Sequence, residues 1–168
     1  MTPEHLASAA KDELDLVLSF FGRVDTRASV VLAIDTGMLA LLSTNAPTWK
    51  DLSWWSLIAL VPVLLIAASL FCLYKTAFPK LEGGNNSLVY FREIAKRAEH
   101  QFIAEFTEQQ DDAYVKELLA QTWINSIILK EKFDYLKRSY IFLTLAIVPW
   151  IGVLIFFAIQ HGQSRMFK

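Results

Sequence analysis

Three apolar runs constrain this chain more than any other feature of it. Ala28 to Thr44, Trp54 to Tyr74 and Ser139 to Ile159 are 17, 21 and 21 residues long, and Asp35 is the one charged residue in all three. A hydrocarbon core about 30 Å thick takes roughly 20 helical residues to cross. The runs lift the hydrophobic share to 54% and the mean hydropathy to +0.35, where soluble domains hold roughly 45–50% apolar residues. An ordinary soluble enzyme is excluded. The pattern predicts an all-α membrane protein with three transmembrane helices and a small cytosolic helical hairpin.

The remaining segments divide accordingly. Residues 1–27 form an N-terminal amphipathic helix, 28–44 the first span, 45–53 an external loop and 54–75 the second span. Residues 76–138 form a cytosolic lobe, 139–159 the third span and 160–168 an external tail. Thr2 and Pro3 suit an N-cap and the first helical position. Leu6, Ala10, Leu14, Val17, Phe21, Val24 and Ala28 then recur at helical spacing. No breaker follows, so one helix is expected over about 3–43, ended by Asn45, Ala46 and Pro47. The first apolar run starts too late for a cleavable signal peptide, which predicts an uncleaved signal anchor. Trp54 and Trp55 are expected at an interface.

In the lobe, Phe78 to Ser87 is rich in turn formers. Helices are expected over 87–106 and 109–138, with Thr107 and Gln110 as a capping box for the second. Val115, Leu118, Leu119, Thr122 and Ser126 repeat at helical spacing, and no glycine or proline lies between Asp111 and Val148. The second helix therefore runs into the third span. Lysine and arginine number 3 up to Arg27, 10 from Lys75 to Arg138, and 3 in the remaining segments. That asymmetry predicts a cytoplasmic N-terminus and lobe and an external C-terminus, in a bacterial inner membrane.

A net charge of −1 gives no reason to expect a nucleic-acid polymer as partner. Cys72 is the single cysteine and has no partner for an intrachain disulfide. His5, His100 and His161 share no metal-ligand spacing. No hydrolase or deaminase set is present, and Asp111-Asp112 suits an acidic first helical turn. The chain is read as a non-enzyme with no metal or cofactor.

Asp35 is the sharpest single residue. A charged aspartate near a helix centre costs about 2.5–3.5 kcal/mol on insertion scales, so it needs a partner or a wet cavity. Ser69 and Thr144 lie at similar depth on the other spans, and Pro149 leaves the Leu145 carbonyl without its usual donor. These are candidate intramembrane or gating partners. Ser29, Ala33 and Gly37 make two small-xxx-small steps nearly opposite Asp35, a packing face for a neighbour or for the same protomer. Asp25 and Arg27 flank the cytosolic end of the first span, as anchors or as signal relays.

Glu82-Gly83-Gly84-Asn85-Asn86-Ser87 lacks the Gly-Lys-Ser/Thr ending of a P-loop and reads as a flexible turn. Arg92 and Lys96, four apart, form a basic pair able to hold one phosphate, or a solvated face on which Glu93 offsets Arg97. Gln121 and Asn125, with Ser126 and Lys132 near, are helix-pair amides or readers of a small ligand's base edge.

These segments resemble a known family. Asp25-Thr26-Arg27-Ala28-Ser29, leading into a span with Asp35, is similar to a D-x-K-A-S segment, and Phe78-Pro79-Lys80-Leu81 to F-P-R-L. Ser87, Tyr90-Phe91, Ile94, Gln121, Asn125-Ser126 and Lys132-Phe133 fit the helices that follow. In order and spacing, over about residues 15–155, the chain resembles the transmembrane effectors of Pycsar, a bacterial anti-phage system. Arg27 stands where lysine is commoner, which keeps the charge and changes its geometry. The resemblance implies a cognate cyclase that makes cUMP or cCMP on infection, and an effector that then damages the inner membrane in abortive infection. It assigns no ligand-contacting residue.

A lobe of this size read as two helices has no room for a β-roll cyclic-nucleotide domain. A nucleotide site is expected between helices and between protomers of a homo-oligomer, with Arg92 and Lys96 on the phosphate and Gln121 and Asn125 on the base. The alternatives are a membrane-anchored signalling or scaffold protein, and a small ion channel or transporter subunit with Asp35 on the ion path.

Overall fold

A computed structural model describes residues 2–46, 54–78 and 86–166. Among these the chain is helical, with no strand. Helix α1 is Pro3–Asn45, a 3-10 turn covers Trp54–Ala59, and α2 is Leu60–Ala77. Helices α3 (Phe91–Ile94), α4 (Glu99–Glu108) and α5 (Asp111–Met166) follow. Stretches of α1, α2 and α5 are long and apolar enough to cross a membrane. The expected continuities of α1 and α5 both occur. The turn 82–85 lies outside the described residues.

The chain divides into two compact units. A lobe unit holds Met1–Val24 and Pro79–Lys132, and a spanning unit holds Asp25–Phe78 and Phe133–Lys168. In the lobe unit Ala10 and Leu14 of α1 pack with Val115 and Leu118 of α5, and Ala7, Val89 and Tyr114 close the cluster. Leu6 and Leu119, on the neighbouring positions, stay exposed.

In the spanning unit most buried positions fall three and four apart, with Cys72 buried beside Leu73 on α2 and a seven-residue step from Ala146 to Val153 on α5. They are Val31, Asp35, Met38 and Leu42 on α1, and Pro62, Ile66, Ser69, Leu73 and Thr76 on α2. On α5 they are Leu136, Ser139, Leu143, Ala146, Val153 and Phe157. Spacing of this kind gives a narrow seam down each helix. Leu64, Phe71, Leu145 and Val148, off the seams, are exposed, as suits a surface against lipid chains. Pro62 falls in the first turn of α2, where its missing N–H costs no helical bond. Pro149 lies inside α5, which continues through it. The Trp150 indole N–H donates to the Met38 carbonyl at 3.0 Å.

The stretch expected as one helix over 87–106 is two short ones. The Ser87 hydroxyl accepts from the Val89 and Tyr90 N–H groups at 3.1 Å each, closing a turn ahead of α3. Ala98 is extended at φ −72, ψ 148, which separates α3 from α4. Thr107 does not cap α5. It closes α4 by donating back to the Ile103 and Ala104 carbonyls, and the Gln110 carbonyl takes the first N–H groups of α5, those of Ala113 and Tyr114.

Candidate functional site

Two polar assemblies stand out, one in each unit. In the lobe unit, the backbone at Asn86–Leu88 is held from two sides. Asn86 sits at φ 63, the left-handed region that asparagine tolerates better than most residues. Arg97, whose side chain is 7% exposed, spreads its donors over this turn. Nη2 reaches the Asn86 carbonyl at 2.8 Å and its Oδ1 at 3.0 Å. Nη1 reaches the Ser87 and Glu93 carbonyls at 3.1 and 2.9 Å, and Nε reaches Glu105 at 2.8 Å. A planar five-donor fork suits this task better than an ammonium.

From the other side, Glu117 of α5 accepts from the Leu88 N–H at 2.7 Å and the Ser87 hydroxyl at 3.1 Å. Its second oxygen accepts from the Gln109 amide at 2.7 Å. The turn is thereby fixed to α5 by charge-assisted bonds. The hydrogen bond from Gln101, with that from Arg97, holds the Glu105 carboxyl below its ordinary range. The bond from Lys96 does most to lower that of Glu93, helped by the Asn86 N–H.

The nucleotide-site candidates all belong to this unit, in unlike settings. Arg92 is exposed on α3, and Lys96 lies past the end of that helix. Arg92 and Lys96 therefore do not share one helix, because α3 stops at Ile94. The charge pairing also differs from expectation: the Glu93 carboxylate meets Lys96, and Arg97 meets Glu105. Gln121 is buried at 4% exposure and Asn125 is half-buried, one turn apart on α5. Glu117 precedes them at the same spacing. Lys132 is buried at 5% and lies over the Phe21 ring at 5.3 Å.

In the spanning unit three seams meet at one polar level. The Ser69 hydroxyl lies 2.6 Å from Asp35 Oδ2 and 2.9 Å from the Ser139 hydroxyl. It also lies 3.3 Å from the Ser139 carbonyl. All three residues have zero exposure. Among the described residues, Asp35 Oδ1 is buried without a hydrogen-bond partner, as is Gln109 Oε1 in the lobe unit.

Ser69 thus meets Asp35 as its depth suggests, but Thr144 does not. It is exposed and donates to the Tyr140 carbonyl of its own helix at 2.8 Å. Five residues beyond Ser139, it is turned about 140° away at 3.6 residues per turn. Depth fixes a level in a span and says nothing of rotation. Leu145 likewise faces outward, and Asp35 makes its contact with the hydroxyl of Ser69.

Ser29, Ala33 and Gly37 are exposed, opposite the Asp35 seam. A Cβ built on Gly37 meets nothing within 4 Å, so among the described residues no side chain packs into the stripe there. Asp25 and Arg27 are exposed, and the Asp25 carbonyl accepts from the Ser29 hydroxyl at 2.9 Å. Sequence reasoning missed Ser139, Glu117 and the central role of Arg97. Ser139 was recoverable from the 136–139–143 spacing. Among the described residues no group of three or more His, Cys, Asp or Glu side chains is placed to hold a metal ion.

A family described as the Pycsar effector protein domain matches residues 9–159. No curated protein and no solved structure matches the chain.

Proposed function

Because the chain belongs to the Pycsar effector family, we propose that it is an anti-phage effector switched on by a cyclic pyrimidine mononucleotide to impair the bacterial inner membrane. The observation that carries this reading is the extent of the match, which takes in all three candidate spans and the lobe segments. The nucleotide, cUMP or cCMP, comes from a partner cyclase, and the outcome is abortive infection. The protein acts by binding and not by catalysis.

The lobe faces the cytoplasm, in keeping with the excess of lysine and arginine there. The nucleotide sits between its helices, in a homo-oligomer, with Arg92 and Lys96 on the phosphate and Gln121 and Asn125 on the base. A buried amide such as Gln121 supports base recognition, since a buried donor or acceptor left unpaired by the wrong base edge is costly. Helices α1 and α5 each supply residues to both units without a break, a route by which an event in the lobe reaches the spans.

A ligand shifts such an equilibrium only by its differential affinity for the two states. Moving from 1:99 to 99:1 takes about 5.5 kcal/mol, within reach of several copies binding together. The test is calorimetric titration of the detergent-solubilised full chain with cUMP and cCMP, paired with dye release from vesicles holding the protein. Saturable heat from one nucleotide, and release only with that nucleotide, is the expected result. Heat from neither removes direct sensing. Ion flux independent of nucleotide favours a channel subunit, and binding without release favours a scaffold.

A further inference from the structure

Apart from Thr76, the seams of the spanning unit are apolar around the level of Asp35, Ser69 and Ser139, where all three helices turn a polar side chain inward. Each hydroxyl has one hydrogen, so the chain runs in one of two directions. With an ionised carboxylate, Ser139 donates to Ser69 and Ser69 donates to Asp35. With a neutral carboxyl, Asp35 donates to Ser69 and Ser69 donates to the Ser139 hydroxyl or carbonyl. Both directions link all three helices, and neither gives Asp35 Oδ1 a donor.

Such a level contributes less packing than an apolar one and more specificity of register. Turning any one helix by one residue breaks it. In a dry bundle no water replaces the lost bonds, so the packed arrangement resists small displacements. Once water enters, it satisfies the hydroxyls and also Oδ1, which the packed form leaves bare. The wetted form therefore recovers a hydrogen bond that the packed form lacks. These two properties make a two-state element.

Resting on the effector reading above, we propose that the Asp35–Ser69–Ser139 chain is the lock that keeps the three spans in their non-disrupting packing, and that its parting is the intramembrane step of membrane impairment.

The test uses the full chain in phosphatidylethanolamine–phosphatidylglycerol vesicles loaded with a self-quenching dye, read first without nucleotide. Ser139→Ala, which loses one hydrogen bond, is expected to raise nucleotide-free release about tenfold over wild type, and Ser69→Ala, which loses two, to raise it at least as much. Ile66→Ala, at a fully buried apolar position of the same unit, loosens packing without removing a member of the chain and stays close to wild type. Release by Ile66→Ala equal to that of Ser69→Ala overturns the lock, as does silence of both serine variants. If neither serine variant folds while Ile66→Ala does, the chain is a folding requirement and the lock is overturned. Adding cUMP or cCMP to wild type separates the two proposals. Leaky serine variants beside an unresponsive wild type sink the messenger and keep the lock, and silent variants beside a responsive wild type do the reverse.

Discussion

Ser69 and Asp35, 34 residues apart in sequence, share a hydrogen bond of 2.6 Å at a point neither water nor lipid reaches. Ser69 is the middle member of its chain, with Ser139 on its other side. Removing the middle hydroxyl breaks both links, and removing the end one breaks a single link. Ser69→Ala is therefore expected to lower stability by about 1–3 kcal/mol, and Ser139→Ala by about 1 kcal/mol. Thermal unfolding in detergent, followed by circular dichroism, checks the order.

Glu117 ties the turn at Ser87 and Leu88 to α5 through two acceptor contacts, and its second oxygen accepts a third bond from Gln109. Glu117→Ala strips them all, and the expected loss is about 2–3 kcal/mol because hydrogen bonds to a charged group are involved. Amide hydrogen exchange should show Leu88 losing protection first. Unchanged protection at Leu88 would contradict the account.

Arg97→Lys keeps the charge and loses the fork. An ammonium has three donors where the guanidinium makes five contacts, so about 1–2 kcal/mol is expected to go. The loss falls on 86–94 more than on α4, because four of the five contacts are made to Asn86, Ser87 and Glu93. Exchange protection compared between the two segments measures this.

At Asn86, two costs separate cleanly. Asn86→Ala adds a left-handed backbone penalty of roughly 1–2 kcal/mol and removes one of the two acceptors Arg97 Nη2 meets there, the side-chain Oδ1. Asn86→Gly removes that acceptor alone. Thermal denaturation should rank wild type above Asn86→Gly and Asn86→Gly above Asn86→Ala.

The lobe should weaken in acid. Glu93 and Glu105 have folded-state pKa values lowered from 4.5. A depressed carboxyl gives stability that is present above its unfolded value and is lost as pH falls through the folded one. Exchange protection of 86–108 is expected to hold from neutral pH to near the ordinary carboxylate range and to fall below it. Glu93→Gln with Glu105→Gln should flatten that fall.

Much of this architecture was legible because a membrane demands long apolar runs and a long helix demands the absence of breakers. The limits of α1 and the passage of α5 into the third span both follow from those two facts. Asp35 was legible as a residue needing a partner, and depth along the span pointed to Ser69. Depth could not choose between Ser139 and Thr144, which differ by rotation about α5. In the lobe, Glu93 had both Lys96 and Arg97 within reach, and spacing alone does not decide such a choice. The split between α3 and α4 was hidden for a related reason. Arg97 supplies donors to carbonyls at Asn86, Ser87 and Glu93, and no local pattern announces a side chain that reaches back 11 residues.

The three–four spacing of the spanning unit bears on how such a chain can vary over generations. A single residue inserted between Val31 and Asp35 swings everything after it by about 100°, turning the carboxyl of Asp35 out among acyl chains. Substitutions on the outer faces change only oiliness. Drift in this stretch is therefore open to exchange of one greasy letter for another and closed to gains or losses, unless they arrive in steps close to seven.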